Sequence, residues 1–315
     1  MKPLLLGISG LMITILTIIS FIVYQKPAFF MTSPFEIDIT ERTADPADTG
    51  EQVQEELQPV DYNEPISYSL QNNKLHLTYD SGEDWTEVPI ETDQLFAGDY
   101  NGPEQELIDN SYVLTEDRAA FLHTDTVNPE QERVMLTYST DKGETWEESE
   151  IASPFPGLRF RKVDFLDDQL GYVIISGSRT MSQEYSTAFL TEDGGETWQQ
   201  TNSPEETRLI ADGGFVDEST GFLSLGTISP EAPTLYVTQD KGESWQLAEF
   251  NMPEEYEPVF VIAETPVRDG EQLTVTLNQG PNGDYAGGLV KGEFISDDNG
   301  ETWNFSKEVE PDETE

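Results

Sequence analysis

The chain has 315 residues, with 62 Asp and Glu against 16 Lys and Arg, a formal charge of −46. That surplus excludes a nucleic-acid or anionic-membrane footprint for the body as a whole, because both surfaces repel it; it reads as a solvated acidic coat, without the ligand spacing of a calcium loop. Cysteine is absent, which excludes a disulfide framework, a cysteine nucleophile and a lipoprotein anchor.

In chain order, residues 3–24 carry no charge, enough for ~33 Å of helix against a hydrocarbon core of about 30 Å. A cleaved signal peptide has a shorter apolar stretch and a small-residue exit, whereas residues 21–27 read FIVYQKP. Residues 1–29 are therefore expected to be an uncleaved transmembrane signal anchor. Lys2 and the α-amino group outweigh Lys26, which predicts a cytoplasmic N-terminus, a cell-membrane location and an extracytoplasmic body. Residues 30–64 are acidic, with Arg42 as the one basic residue, too polar to bury a core, and read as a disordered linker. Residues 307–315 form a similar acidic tail.

The body, residues 65–306, repeats one motif. All five tryptophans (Trp85, Trp146, Trp198, Trp245 and Trp303) end an eight-residue box, [ST]-x-D-x-G-x-[TS]-W, whose first copy alone departs, with Asp84 at the seventh position. The box aspartates Asp80, Asp141, Asp193, Asp240 and Asp298 can accept hydrogen bonds from their own turn. The glycine two residues later tolerates positive φ, and each tryptophan is expected to start a returning strand and bury its ring. The box is thus a structural hairpin turn. Spacings of 61, 52, 47 and 58 residues between the aspartates suit one four-stranded sheet per box. The first unit lacks a clear innermost strand, and residues 92–109 have too little strand character for a sixth unit.

These boxes resemble the Asp-box (BNR) repeats of sialidases, sortilin-type receptors and photosystem II stability/assembly factors. Residues 162–172 and 214–222 add the apolar strand, polar turn and Gly-aromatic pair of the assembly-factor type. The resemblance implies an all-β fold: a β-propeller of about five four-stranded blades with Asp-box hairpins, preceded by one N-terminal transmembrane helix. It also implies that connections from second to third strand, and from blade to blade, share one face, opposite the boxes. On that face the scheme places Arg133, Arg159, Arg161, Arg179 and Arg208, with Arg118 and Arg268 elsewhere. Five guanidinium groups round one mouth would favour a carboxylate or phosphate; neutralisation of neighbouring acids is the alternative. The same face carries a long polar loop, residues 176–185, with Tyr185, and a Gly-Asn-Pro loop, residues 278–288, with Asp284 and Tyr285.

The family's enzymes would need three clamping arginines and a Tyr–Glu nucleophile pair. Arg159, Arg179 and Arg208 with Tyr185 or Tyr285, beside Glu184 or Asp284, supply parts of it. The Arg-Ile-Pro segment of a sialidase first blade is absent, and no arginine lies between Arg42 and Arg118. His76 and His123 are not in metal-ligand spacing, so no metal and no cofactor is expected. The reading is a non-enzymatic, membrane-tethered binding or assembly module for a protein or glycan partner, with an anionic group received at the ring of arginines and no nucleic acid; a sialidase-like glycoside hydrolase is the alternative.

Overall fold

Every box closes on itself by the same three hydrogen bonds. The hydroxyl of the first residue (Thr78, Ser139, Thr191, Thr238, Ser296) donates to the box Asp Oδ1 at 2.7–2.8 Å. It accepts the glycine N–H at 2.7–3.0 Å, and Oδ1 accepts the N–H four residues on at 2.8–2.9 Å. The box glycines have φ between 78° and 106°, where a Cβ would be strained. At Gly300 a Cβ would also run into Phe222 of the preceding sheet.

The computed structural model describes residues 56–126, 131–181 and 183–310. The expected signal anchor, most of the linker and the end of the tail lie outside them. Among the described residues no helix is long and apolar enough to cross a membrane.

The boxes organise five sheets into an all-β, propeller-like array. The first has three strands, β1 (Ser67–Ser69), β2 (Lys74–Thr78) and β3 (Thr86–Glu91). The second is β4 (Tyr112–Leu114), β5 (Ala119–Thr126), β6 (Glu132–Ser139) and β7 (Glu147–Ala152). The third is β8 (Phe160–Phe165), β9 (Gly171–Thr180), β10 (Gln183–Thr191) and β11 (Gln199–Gln200). The fourth is β12 (Ile210–Phe215), β13 (Gly221–Leu225), β14 (Thr234–Thr238) and β15 (Gln246–Leu247). The fifth has six strands: β16 (Glu249–Asn251), β17 (Phe260–Ala263), β18 (Val267–Asp269), β19 (Gln272–Gln279), β20 (Lys291–Ser296) and β21 (Thr302–Val309). Residues 92–109 contain the short helix α1 (Thr92–Phe96) and no further sheet.

The first sheet has three strands, in line with the expected lack of a clear innermost strand, and the expectation of four strands is corrected at the fifth. In the first sheet the innermost position holds only an irregular segment, where Val60 N–H donates to Tyr68 O at 2.8 Å. In the fifth, the innermost strand is split into β17 and β18, both on β19. β16 runs on from β15 and pairs in parallel with β21, covering an edge that would otherwise be open. This extra strand explains a second correction. Trp303 is fully buried, with Phe250 of β16 stacked on it at 6.2 Å, while Trp85, Trp146, Trp198 and Trp245 stay half-buried because no strand lies outside them.

Sheet faces pack on their neighbours. Four apolar clusters join sheets one and two (with Leu75, Phe96, Phe121), two and three (Leu136, Val163, Ile175), three and four (Ile174, Phe215, Leu223), and four and five (Phe222, Val275, Phe294). No such cluster joins the fifth sheet to the first among the described residues. The outer face of sheet five is polar instead. Leu273, Val275 and Leu277 are buried, and the alternating Thr274, Thr276 and Asn278 are not, as period-two geometry requires. On that side Glu264 holds Lys291 at 2.9 Å and Asn278 at 2.8 Å, and Glu293 holds Lys307 at 3.3 Å.

The box carboxylates titrate low. Hydrogen bonds from the hydroxyl and then the N–H of Thr145, Thr197 and Ser244 hold Asp141, Asp193 and Asp240 below the usual range. At Asp80 the Asp84 N–H does so. At Asp298 burial pushes upward, yet the bonds from Thr302 and Ser296 outweigh it. Folded values below the unfolded value of 3.8 mean that ionisation favours the fold above that pH and the benefit is lost as pH falls through the depressed values. Thermal melts at stepped pH should therefore show a steep loss below about pH 4. Asp193→Asn with Asp240→Asn should lower the neutral midpoint and flatten that acid limb; an acid limb unchanged in the double variant would contradict this.

Candidate functional site

The connections opposite the boxes are where the sheets differ most from one another. In sheet four, β13 and β14 are five residues each, but in sheet three β9 and β10 are ten and nine. The polar stretch expected as a loop, residues 176–185, is thus a continuing hairpin. Ser176 pairs with Ser186, Gly177 with Tyr185 and Thr180 with Gln183, with a bulge between. At its tip Ser178 and Met181 adopt positive φ.

One ion pair sets the position of this hairpin. The side chain of Glu184 on β10 is fully buried. Arg159 Nε donates to its Oε2 at 2.6 Å and Nη2 to its Oε1, the forked geometry that suits a guanidinium. The Ile210 N–H of sheet four donates to Glu184 Oε1 at 2.7 Å, and Arg159 Nη2 returns a bond to Ile210 O at 2.9 Å. A bridge between Gln183 and Arg208 adds a second link. Sequence inspection marks Glu184 only as a neighbour of Tyr185; its role as an anchor depends on Arg159, 25 residues away.

The other arginines are also engaged, so the open positive funnel expected from the loop assignment is not the observed arrangement. Arg133 lies against Asp125 and, at 3.4 Å, Glu150. Arg161 is buried and caps α1, donating to Leu95 O at 2.9 Å and Ala97 O at 2.6 Å; burial pulls its pKa down to about 10. Arg179 stands 3.8 Å from Asp99, and Arg208 donates to Thr234 Oγ1 at 3.0 Å; these two are the more exposed. The remaining arginines join sheets. Arg118 reaches the carbonyls of Gly194 and Asp168 at 2.8 Å over the Phe165 ring, and Arg268 reaches Asp217 at 2.8 Å. Among the described residues every basic side chain has a partner. Ten lie within ion-pair distance of a carboxylate, Arg118 and Arg161 use carbonyls, and Arg208 a hydroxyl.

Tyr185 and Tyr285 belong to different sheets and are not brought together. The Tyr185 hydroxyl accepts from Gln200 Nε2 at 2.8 Å, and its ring packs near Phe155. Tyr285 opens a single 3₁₀ turn (Tyr285–Gly287) in the β19–β20 connection. Its hydroxyl donates to Glu308 Oε1 at 2.7 Å, as does that of Tyr256. These bonds to a carboxylate raise the pKa of both phenols. Gln279 clamps the loop, its amide donating to Tyr285 O and Val290 O and accepting the Tyr285 N–H. Asp284 is exposed and does not contact the Tyr285 hydroxyl partner. Glu308 and Tyr256 carry no sequence signal, since they are 52 residues apart, and Gln279 none because its loop contacts at Tyr285 and Val290 follow no repeating spacing.

Neither pairing forms a clamp and nucleophile: Tyr185 bonds Gln200 rather than Glu184, and Glu184 is taken up by Arg159. His123 is buried on β5, its pKa pulled down to about 4 by burial. Nε2 sits 2.9 Å from Thr137 Oγ1, and Glu148, 3.6 Å away, is too exposed to offset this. Among the described residues no group of three or more His, Cys, Asp or Glu is placed to hold a metal ion.

The sequence profile of the DUF6242 β-propeller domain matches residues 60–273. The chain belongs to that family. A BNR/Asp-box repeat is matched separately at residues 294–305, the turn and strand around Trp303. No curated protein matches. Solved structures similar in fold include a GH43_1 enzyme from Xanthomonas citri (9% identity, 63% of this chain and 72% of that one, TM-score 0.36). A GH74 xyloglucanase from Xanthomonas campestris has 15% identity over 74% of this chain, with a TM-score of 0.39. The present chain spans 34% of that enzyme's length. A family 117 glycoside hydrolase from Zobellia galactanivorans has 11% identity over 64% and 68% of the two chains, with a TM-score of 0.37. At these values neither activity nor substrate carries over to this member of the propeller family.

Removing one side of the hairpin's anchor tests its role. Arg159→Ala leaves the Glu184 carboxylate buried and unpaired and should cost about 3–5 kcal/mol in denaturant melts. Replacing the pair together, Arg159→Met with Glu184→Leu, should recover most of that loss. A single variant as stable as the parent would show that the pair does not hold the hairpin.

Proposed function

We propose that this chain is a membrane-tethered, extracytoplasmic binding or assembly module that turns over no substrate. The observation that carries this reading is the set of large apolar side chains held out on three successive connections opposite the boxes. Met181 (89% exposed) and Tyr185 stand on the β9–β10 hairpin, Ile228 (53%) on the β13–β14 connection, and Tyr285 and Leu289 (65%) on the β19–β20 connection. Loops carried by a rigid scaffold are the usual seat of recognition, and these are held by the Arg159–Glu184 pair and by Gln279. Exposed apolar residues within a strongly acidic surface suit a protein partner. Arg179 on the β9–β10 hairpin and Arg208, bridged to Gln183 of that hairpin, lie on the same surface, partnered by Asp99 and Thr234. The uncharged run at residues 3–24 and the basic residue ahead of it support the tether and its orientation.

The glycosidase alternative rests on one feature, the Tyr285–Glu308 hydrogen bond; among the described residues no arginine forms an ion pair with Glu308. A photo-reactive residue placed at Met181 or Ile228 of the full chain should give discrete protein adducts in the native membrane, and one at Glu144 in the second box should not. Equal adducts from both sides would remove the assigned surface. Hydrolysis of a fluorogenic sialoside, lost in Tyr285→Phe, would reverse the order of the two readings.

A further inference from the structure

Between the β13–β14 and β19–β20 connections lies a cleft of about 320 Å³, at the small end of the range for ligand sites. We propose that it receives a lysine or arginine side chain presented by a partner polypeptide. The inference rests on the binding role argued above and names the chemistry of the partner.

The walls mix apolar and polar residues, and three prolines restrict their backbone. Pro230, Pro258 and Pro281 line the cleft with Val259, Val261 and Tyr285. The tyrosine ring is fixed before any partner arrives. It meets Tyr256 at 6.0 Å and Phe260 at 6.3 Å, both edge-on, and its hydroxyl is tied to Glu308. Gln279 fixes the backbone on both sides of it. A site that needs no ordering loses less on binding. Tyr285 as a residue remains 37% exposed, and an aromatic ring in a cleft can hold a cation.

The rim is acidic and unopposed. Glu231 and Asp284 line the cleft, and Glu255 is close enough to act on the Tyr285 phenol. No lysine or arginine is among the lining residues. The nearest ones in the chain's topology are occupied, Lys291 by Glu264 and Arg208 by Thr234. A net charge of −46 draws cationic segments towards the molecule and repels acidic ones. Proline and valine walls add apolar contact for a peptide backbone, which a free polyamine or a metal ion would not use.

The experiment uses the full chain in detergent and two short fluorescent peptides, one alternating lysine with proline and one alternating glutamate with proline. The lysine peptide should bind, more weakly as salt rises, and the glutamate peptide should not. Tyr285→Ala should weaken binding about fivefold. The exposed pair Glu231→Gln and Asp284→Asn should weaken it about tenfold without depending on how the Tyr285 variant folds, and Tyr285→Phe should retain it. Glu116→Gln with Glu144→Gln, near the second box, should change nothing. Equal losses from that distant pair would reduce the effect to attraction by the acidic coat and overturn the site. Failure of the lysine peptide, or equal binding of the glutamate peptide, would overturn it too. Spermine binding as tightly as the peptide, with the same dependence on Tyr285, would replace the peptide by a small polycation. If Met181 cross-links a partner while the lysine peptide fails, only the partner chemistry falls; if both fail, the binding role falls with it.

Discussion

The array depends on a turn that satisfies its own polar groups. In each box one hydroxyl and one carboxylate take up three donors, so the turn meets most of its polar groups internally. In three boxes a further N–H (Ser81, Gly194, Lys241) goes to a neighbouring carbonyl. Its glycine then approaches the preceding sheet without conflict: Gly143 lies by Thr86, Gly195 by Leu136, Gly242 by Thr201 and Gly300 by Phe222. A turn with unmet N–H groups could not be pressed against a neighbour in this way. Close approach of successive hairpins follows, and with it the four shared apolar clusters.

A body so rich in carboxylates has few cations to spend, and they are placed mostly where sheets meet. Arg118 joins sheets two and three, Lys162 and Arg159 join three and four, and Arg268 joins five to four. Lys162 reaches both Asp212 at 2.7 Å and Thr265 at 2.9 Å, so the innermost strands of three sheets are tied at one point. Pairs of this kind, partly withdrawn from water, resist salt better than exposed ones. The excess negative charge is left to the outer surface, which keeps that surface hydrated and selects the sign of what approaches it.

Both ends of the array are finished rather than left open. At the first sheet, Val60 and Asp61 bond back to Tyr68 and Ser67. At the fifth, β16 covers the edge of β21, and Glu264 and Glu293 gather Lys291 and Lys307 on the outer face. Terminal repeats of stacked arrays need such polar outer faces to stay soluble, because an interior repeat would present an apolar one. The fifth sheet differs from the others for this reason, and the buried Trp303 is a local consequence.

Much of the fold was legible in the sequence because its signals are local. Residues within eight positions of one another make the box bonds, so Asp193, Gly195 and Trp198 announce their hairpin without reference to anything distant. Strands such as β8, β13 and β14 follow from alternation and turn residues. The first and last sheets were less legible, since the short β1 is supported by residues 57–62 and β16 leaves one sheet to join the next. The candidate site was legible only as a face. Tyr285 lies on a loop as expected, whereas Arg161 lies in β8 and Tyr185 in β10, and the sequence does not show which side chain or carbonyl each would meet. Glu184 is 25 residues from Arg159, Leu95 is 66 from Arg161, and Glu308 is 23 from Tyr285. The sequence by itself determined the turn chemistry, the number of sheets and the sign of the surface, because these need only neighbouring residues or a sum of charges. Only the tertiary structure decided which cations are spent, which aromatic ring stays exposed and where an acidic cleft is left without a counter-charge, because those outcomes depend on strands far apart in the chain arriving side by side.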